Sequence, residues 1–320
     1  MATPLGIVAA NLEDAYAQAV VRPIMETSPI LQQIFVVNTG GDLTYGYNQD
    51  YQLPTASFIG LNQSAPTPTS GAQRRVMSTA ARMVVKLRID NTFKMTPGKW
   101  ESEERKQVRL AGVAAGLKFS EEFFDGNPLT NPLEPTGMYR HLAAGLANGT
   151  IPSQQQVSMS TGGGTLTLQK LNVLISRVKG PNKALFMNET MHLKILELCQ
   201  TASAPGYIRI QQTENQFGKP VDVYGGVPIR VMEREDNYST VLDFDENDGS
   251  GNLDTCSIWC VSFGNETGVY AFAPKGLGLN ISGFKEVPGE TYSDSLTEWY
   301  FQFVVAGPRT VARLRYINDA

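Results

Sequence analysis

Histidine is almost missing from this chain of 320 residues: His141 and His192 are the only two. Histidine is the side chain most often used to move protons near neutral pH. No Gly-x-Ser-x-Gly elbow and no His-Glu-x-x-His helix stands near either one, so both read as structural residues and not as parts of a catalytic constellation. Cysteine is also scarce. Cys256 and Cys260 have no second pair, which excludes a four-ligand zinc site; with Cys199 they read as buried, free thiols of a reducing compartment. The run Gly162-Gly163-Gly164 lacks the Gly-Lys-Ser/Thr that cradles phosphate and is expected to be a flexible joint. No stretch of about 18 apolar residues occurs, and Met1 to Val21 has no basic segment leading into an apolar one. The expectation is a soluble protein made in the cytoplasm, without a cofactor and without enzymatic activity.

Charge is thin as well. Lys, Arg, Asp and Glu make up 18% of the chain, against roughly one quarter in ordinary soluble proteins. A surface with few charges suits burial under further copies of the same chain. The net charge is −4 and no basic block is longer than Arg74-Arg75, which excludes the concentrated positive face of a sequence-specific DNA-binding module. Hydrophobic residues reach 42%, enough for two ordinary domains or one large one with excursions.

One segment imitates a metal site. Asp243, Asp245, Asn247 and Asp254 place oxygen atoms at the first, third, fifth and twelfth positions of a calcium loop. The glycine, Gly249, falls one position late, the twelfth residue is Asp and not Glu, and the flanks read as strands. A solvated acidic hairpin tip is the expectation.

The pattern along the chain is α+β, with no internal repeat and no low-complexity tract. Asn11–Val21 reads as an amphipathic helix of an N-terminal arm, and Glu26–Leu31 as the start of an extended segment. Ile34–Val37 and Leu43–Tyr47 read as a hairpin across Gly40-Gly41. Pro54, Gly60, Pro66, Pro68 and Gly71 break the next stretch, and Arg82–Ile89 alternates as a strand with one wet face. Thr96-Pro97 opens a long helix to about Phe124, with Val108, Ala111, Ala115, Phe119 and Phe123 as its buried stripe. Beyond the glycine run, Thr167–Val178 reads as a helix, Ala184–Met187 as a strand and Asn188 as the cap of a helix through Cys199. Strands follow at 221–224, 227–231, 241–242, 256–263, 268–272, 277–284, 298–306 and 310–317, with a polar loop at Lys285–Ser295.

This order of elements resembles the major capsid proteins of tailed bacteriophages, the Hong Kong 97-type shell fold. Two phrases carry the resemblance locally: Glu26–Ile34 followed by Tyr45-Gly-Tyr-Asn48, and Thr297–Leu314, where a long strand meets a Gly-Pro corner and an Ala-containing strand. The resemblance implies an N-terminal arm (1–33), an extended β-loop (34–94), a peripheral domain with the spine helix (95–165 and 276–307) and an axial domain (166–275 and 308–320). It also implies assembly through pentamers and hexamers into an icosahedral shell around double-stranded DNA. Each loop would lie across a neighbour, with Tyr45, Tyr47, Tyr51, Phe58, Arg74 and Arg75 as candidate inter-subunit residues.

The implied partners are further copies, a portal, packaged DNA and, in some arrangements, a decoration protein; the implied location is the virion, after assembly in the host cytoplasm. Two features depart from family variants. From Asn38 to Val85 there is no Lys, so the isopeptide cross-link of some members has no nucleophile, and the shell is expected to be held non-covalently. The arm is too short for a fused scaffolding domain, which implies a separate scaffolding protein. Alternatives are a bacterial nanocompartment shell of the same fold, a hydrolase using the acidic loop, and a β-rich virion accessory or adhesion protein.

Overall fold

The computed structural model describes residues 27–52, 54–64, 67, 72–96, 98–201, 210–214, 220–232, 241–265, 267–275 and 279–318. The helix expected over Asn11–Val21 lies outside them. The chain opens with β1 (Val36–Asn38), β2 (Thr44–Gln52), β3 (Ala72–Thr79) and β4 (Ala81–Asp90). The helices α1 (Lys99–Asp125) and α2 (Met138–Ala147) follow, then β5 (Gln156–Ser158), α3 (Leu168–Arg177), β6 (Asn182–Met187) and α4 (Glu189–Thr201). Next come β7 (Gln211–Glu214), β8 (Pro220–Tyr224), β9 (Val227–Val231), β10 (Glu246–Asn247), β11 (Leu253–Phe263) and β12 (Val269–Ala273). The last strands are β13 (Leu279–Ile281), β14 (Lys285–Glu286), β15 (Tyr292–Val305) and β16 (Val311–Ile317). Among the described residues fourteen strands join one sheet with the order β13-β15-β12-β11-β6-β9-β8-β7 along its main path, and β2 and β3 pair only with each other.

Side-chain alternation on the central strands creates two cores. On β6 and β11, Phe186, Trp259, Val261 and Phe263 face the core built with α1, while Leu185, Met187, Ile258 and Cys260 face a second core built with α3 and α4. One sheet therefore serves both layers, as a period of two requires when both faces are covered. The stripe predicted on α1 is buried at every position, together with Gly112 and Gly116. Phe119 stacks on Trp299 and touches Phe301 and Phe303 at centroid distances of 5.0, 4.8 and 5.1 Å, which fixes the helix across the end of β15. On the other layer, Thr167 caps α3 by accepting from the Lys170 N–H, and the Asn188 side chain accepts from the Met191 N–H at 2.9 Å to start α4.

Several elements differ from the sequence reading, each for a local reason. The long helix begins at Lys99 after Gly98 (φ 77°), without a side-chain cap. Thr96 instead ends a short 3₁₀ turn at Asn91–Met95, donating its N–H to Phe93 O, and Asp90 caps that turn's start. Pro97 lies outside the described residues. Residues 30–34 turn instead of extending, with the Gln33 and Ile34 N–H groups bonded to Ile30 O. Ile30, Leu31 and Ile34 are fully buried in the α1 core, and Ser28 Oγ lies 2.8 Å from Ser120 Oγ. The described end of the expected arm thus packs on the body.

β1 does not form a hairpin with β2. It runs parallel to β12, Val36 opposite Ala271, because Val36 and Val37 find apolar partners on that side. Gly162 to Gly164 are no flexible joint: Gly162 N–H donates to Asp248 O and Gly164 N–H to Tyr316 O. Val241 and Leu242 are buried in a turn, not a strand. β15 starts at Tyr292, inside the expected polar loop. Its inward positions there are Ser293, Ser295 and Thr297, all buried, and small hydroxyls satisfied by Asn91 and Ser282 do not register as apolar alternation.

Candidate assembly surface

β2 and β3 form an antiparallel hairpin, Thr44 opposite Thr79 through Gln49 opposite Arg74. Its foot is clamped to the body. Tyr47 is 5% exposed, in a cluster with Tyr270, Phe272, Val304 and Ala306, and the Tyr45 ring lies 5.1 Å from Phe272. Gln49 Nε2 donates to Val305 O at 2.7 Å, and Gln302 Nε2 to Thr79 O at 3.1 Å. Burial pushes the Tyr47 hydroxyl up to about 12, against the opposing pull of Arg74. Tyr45 and Tyr47 therefore pack the foot of the loop against its own subunit. Tyr51 lies on β2, and its side chain is outside the described residues.

The far end is the opposite in character. At the tip, Gln63 N–H donates to Gly60 O and Gly60 N–H to Gln63 Oε1, a tight turn with Asn62 in the left-handed region (φ 63°). The turn holds Phe58 and Leu61 fully in solvent, with Ile59 half exposed. Arg74 and Arg75 are exposed on β3, and no charged residue occurs between Tyr51 and Gln73. Contiguous exposed apolar side chains of this kind mark contact surfaces.

Below the hairpin, β4 pairs with β15 over ten residues, Asp90 opposite Tyr292 to Ala81 opposite Phe301. Met83, Val85 and Leu87 pack on the α1 core, and Arg82, Lys86 and Arg88 face outward. Arg82 bonds Glu298, while Arg88 and Lys86 bond Asp294 at 2.9 and 2.8 Å. Hydrogen bonds from Arg88 and Lys86 hold the Asp294 carboxyl down to about 2. The hairpin thus stands on a ten-pair ladder with its charges matched.

The acidic segment is a hairpin of β10 and β11, with Asp243, Asp245, Asn247 and Asp254 exposed. Its organising residue is one the sequence reading passed over. Asp248 Oδ1 accepts from the N–H groups of Ser250, Gly251 and Asn252 at 2.6, 2.9 and 3.1 Å. Burial raises this carboxyl, and those bonds outweigh it, leaving it below the usual range. Among the described residues no group of three or more His, Cys, Asp or Glu side chains converges as a metal site.

Both histidines have structural partners. His141 Nε2 lies 3.2 Å from Phe303 O, and burial drives its pKa down to about 4. His192 Nε2 lies 2.9 Å from Asp222 Oδ2. Cys256 and Cys260 are buried, and burial pushes Cys260 up to about 12.

No protein-family model matches the sequence, and no curated protein matches it. Solved structures do. The holo-SrpI encapsulin complex from Synechococcus elongatus PCC 7942 is 15% identical, over 96% of this chain and 96% of that one, with a TM-score of 0.62. A structure from Microbacterium phage Oxtober96 is 13% identical over 92% and 91%, with a TM-score of 0.58. The satellite phage P4 procapsid that includes the size determination (Sid) protein is 9% identical over 96% and 93%, with a TM-score of 0.52. At such identities the likeness speaks for architecture: this α+β chain has the Hong Kong 97-type fold of phage capsid and encapsulin shell proteins.

Proposed function

We infer that the chain is a self-assembling shell subunit, the major capsid protein of a tailed bacteriophage. The observation that carries this reading is the clamped hairpin, which projects Phe58, Ile59 and Leu61 into solvent from a Hong Kong 97-type body. Apolar tips held away from their own core gain free energy only against another surface. Pentamers and hexamers would form around the axial domain (166–275 and 308–320). The loop (34–94) would reach a neighbour through Phe58, Arg74 and Arg75, and the arm (1–33) and the peripheral domain (95–165 and 276–307) would complete the shell wall.

From Asn38 to Val85 the loop has no lysine, so it offers no nucleophile for an isopeptide cross-link and the contacts are non-covalent. A net charge of −4 suits a wall that encloses double-stranded DNA without gripping its phosphates. A separate scaffolding protein is the matching partner; a procapsid of the same fold includes a size determination protein. A portal and a decoration protein would complete a particle made in the host cytoplasm and carried in the virion.

A nanocompartment shell is the second reading, favoured by the TM-score of 0.62 to an encapsulin, above the 0.58 to the phage structure. Particles collected from producing cells, treated with nuclease and then opened, separate the two. The expected contents are double-stranded DNA inside a wall that runs as one 35.0 kDa band after boiling in detergent. Protein cargo without DNA would move the assignment to the nanocompartment, and a ladder of covalent multimers would overturn the non-covalent wall.

A further inference from the structure

The hairpin of β8 and β9 stops pairing almost as soon as it leaves its turn. Val223 lies opposite Pro228 and Tyr224 opposite Val227, and no further pair joins the two strands among the described residues. Pro228 has no N–H with which to carry the ladder on. Beyond it each strand keeps only its other neighbour. Asp222 to Pro220 lie opposite Gln212 to Glu214 of β7, and Ile229 to Val231 lie along β6. A cleft of about 370 Å³ opens there, lined by Pro220–Asp222 on one side and Ile229–Val231 on the other. Pro29 and Gln32, from the turn before β1, and His192 of α4 also line it.

The charges in this cleft are not matched to each other. Its acid, Asp222, is taken by His192 at 2.9 Å. Its cation, Arg230, meets an amide: Nε and Nη2 donate to the Gln33 side-chain oxygen at 3.3 and 3.2 Å, with that amide turned oxygen-first. No acidic side chain bonds Arg230 among the described residues, and burial lowers its pKa with no opposing charge to raise it. A half-buried guanidinium without a counter-ion carries a desolvation cost that an anion would offset.

The Gln33 contact uses one edge of the guanidinium and leaves the Nη1 side for a second partner. A carboxylate matches that edge with two parallel bonds. With one unmatched cation, and Asp222 lining the same cleft, a singly charged ligand fits better than a doubly charged phosphate. Pro29, Val221 and Ile229 add an apolar wall for a short hydrocarbon stem. We propose that the cleft between β8 and β9 binds a carboxylate on a short apolar stem, with Arg230 as its receptor. Such a group is carried by a free small acid or by an Asp or Glu side chain of another copy. Because the turn before β1 and the edge of the sheet both line the cleft, the bound acid would tie them together.

The probe is isovalerate, with isovaleramide as its uncharged control, titrated calorimetrically into the unassembled full-length chain. Isovalerate should bind saturably, about tenfold or more tighter than the amide, and should raise the melting temperature as its concentration rises. Arg230→Gln should weaken isovalerate about tenfold or more, the loss of a charge-assisted pair. Gln33→Glu keeps Arg230 but gives it a carboxylate from its own chain, so this variant should lose the isovalerate response; it decides the matter if Arg230→Gln fails to fold. No saturable binding, equal binding of acid and amide, or isovalerate binding that survives in Gln33→Glu would overturn the site. Assembled particles separate the two sources. A site for a free acid still takes isovalerate there, whereas one filled by a neighbour's Asp or Glu loses it on assembly. The titration of the unassembled chain stands or falls apart from the shell reading.

Discussion

Replacing residues 54–64 by a short Gly-Ser link is expected to abolish closed particles and leave the subunit folded. In the described part of this segment every residue is exposed, so its removal takes nothing from the chain's own core, and the melting temperature of the subunit should stay within about 2 °C. The assembly cost is large. Phe58, Ile59 and Leu61 each stand to gain about 1.5–3 kcal/mol by full burial against a neighbour. Losing even about 4 kcal/mol at each contact lowers the association constant by roughly a thousandfold, and a shell repeats that contact at every subunit. Sedimentation of the purified variant should show small species only. Normal particles from the shortened chain would mean that the tip is not an assembly element. Removing the whole stretch from Asn38 to Ala81 would be a poorer experiment, because it takes Tyr47 out of a buried cluster and confuses folding with assembly.

Phe123→Ala is expected to be the most damaging single change within the subunit. The ring is fully buried and lies 5.0 Å from Phe124, 6.3 Å from Phe186, 6.2 Å from Phe263 and 5.1 Å from Phe303. It joins α1 to β6, β11 and β15 at once. Truncating such a ring costs about 3–5 kcal/mol, the lost burial plus the cavity left behind. Urea unfolding of the subunit should report that loss as a lower midpoint at unchanged slope. Leu110→Ala, on the exposed side of the same helix, should stay within about 0.5 kcal/mol. A cost below about 1 kcal/mol for Phe123→Ala would mean that α1 is not fixed to the sheet as described.

The sequence made the long helix and its stripe legible because five apolar positions recur at spacings of three and four. The Asn188 cap and the 221–231 hairpin were legible from local turn chemistry. Tertiary choices were not. Nothing in Ile34–Val37 distinguishes a hairpin with β2 from a parallel seat on β12, since that depends on which apolar surface lies within reach. The first residues of β15 were hidden because their buried positions are serine and threonine. α2 was missed for lack of a capping side chain and a wide stripe; it buries only Met138, Leu142 and Gly145.

For the candidate surface, the sequence marked the loop but not the division of labour along it. Tyr45 and Phe58 look alike as aromatic loop residues, yet one packs on its own body and the other stands in solvent.

Negative-stain electron microscopy of the purified full-length chain, alone and with a coexpressed scaffolding protein, tests the central claim most directly. Closed, roughly spherical shells of uniform size, built from pentameric and hexameric rings, are the expected result. A preparation that stays monomeric or forms only small oligomers under both conditions would contradict it.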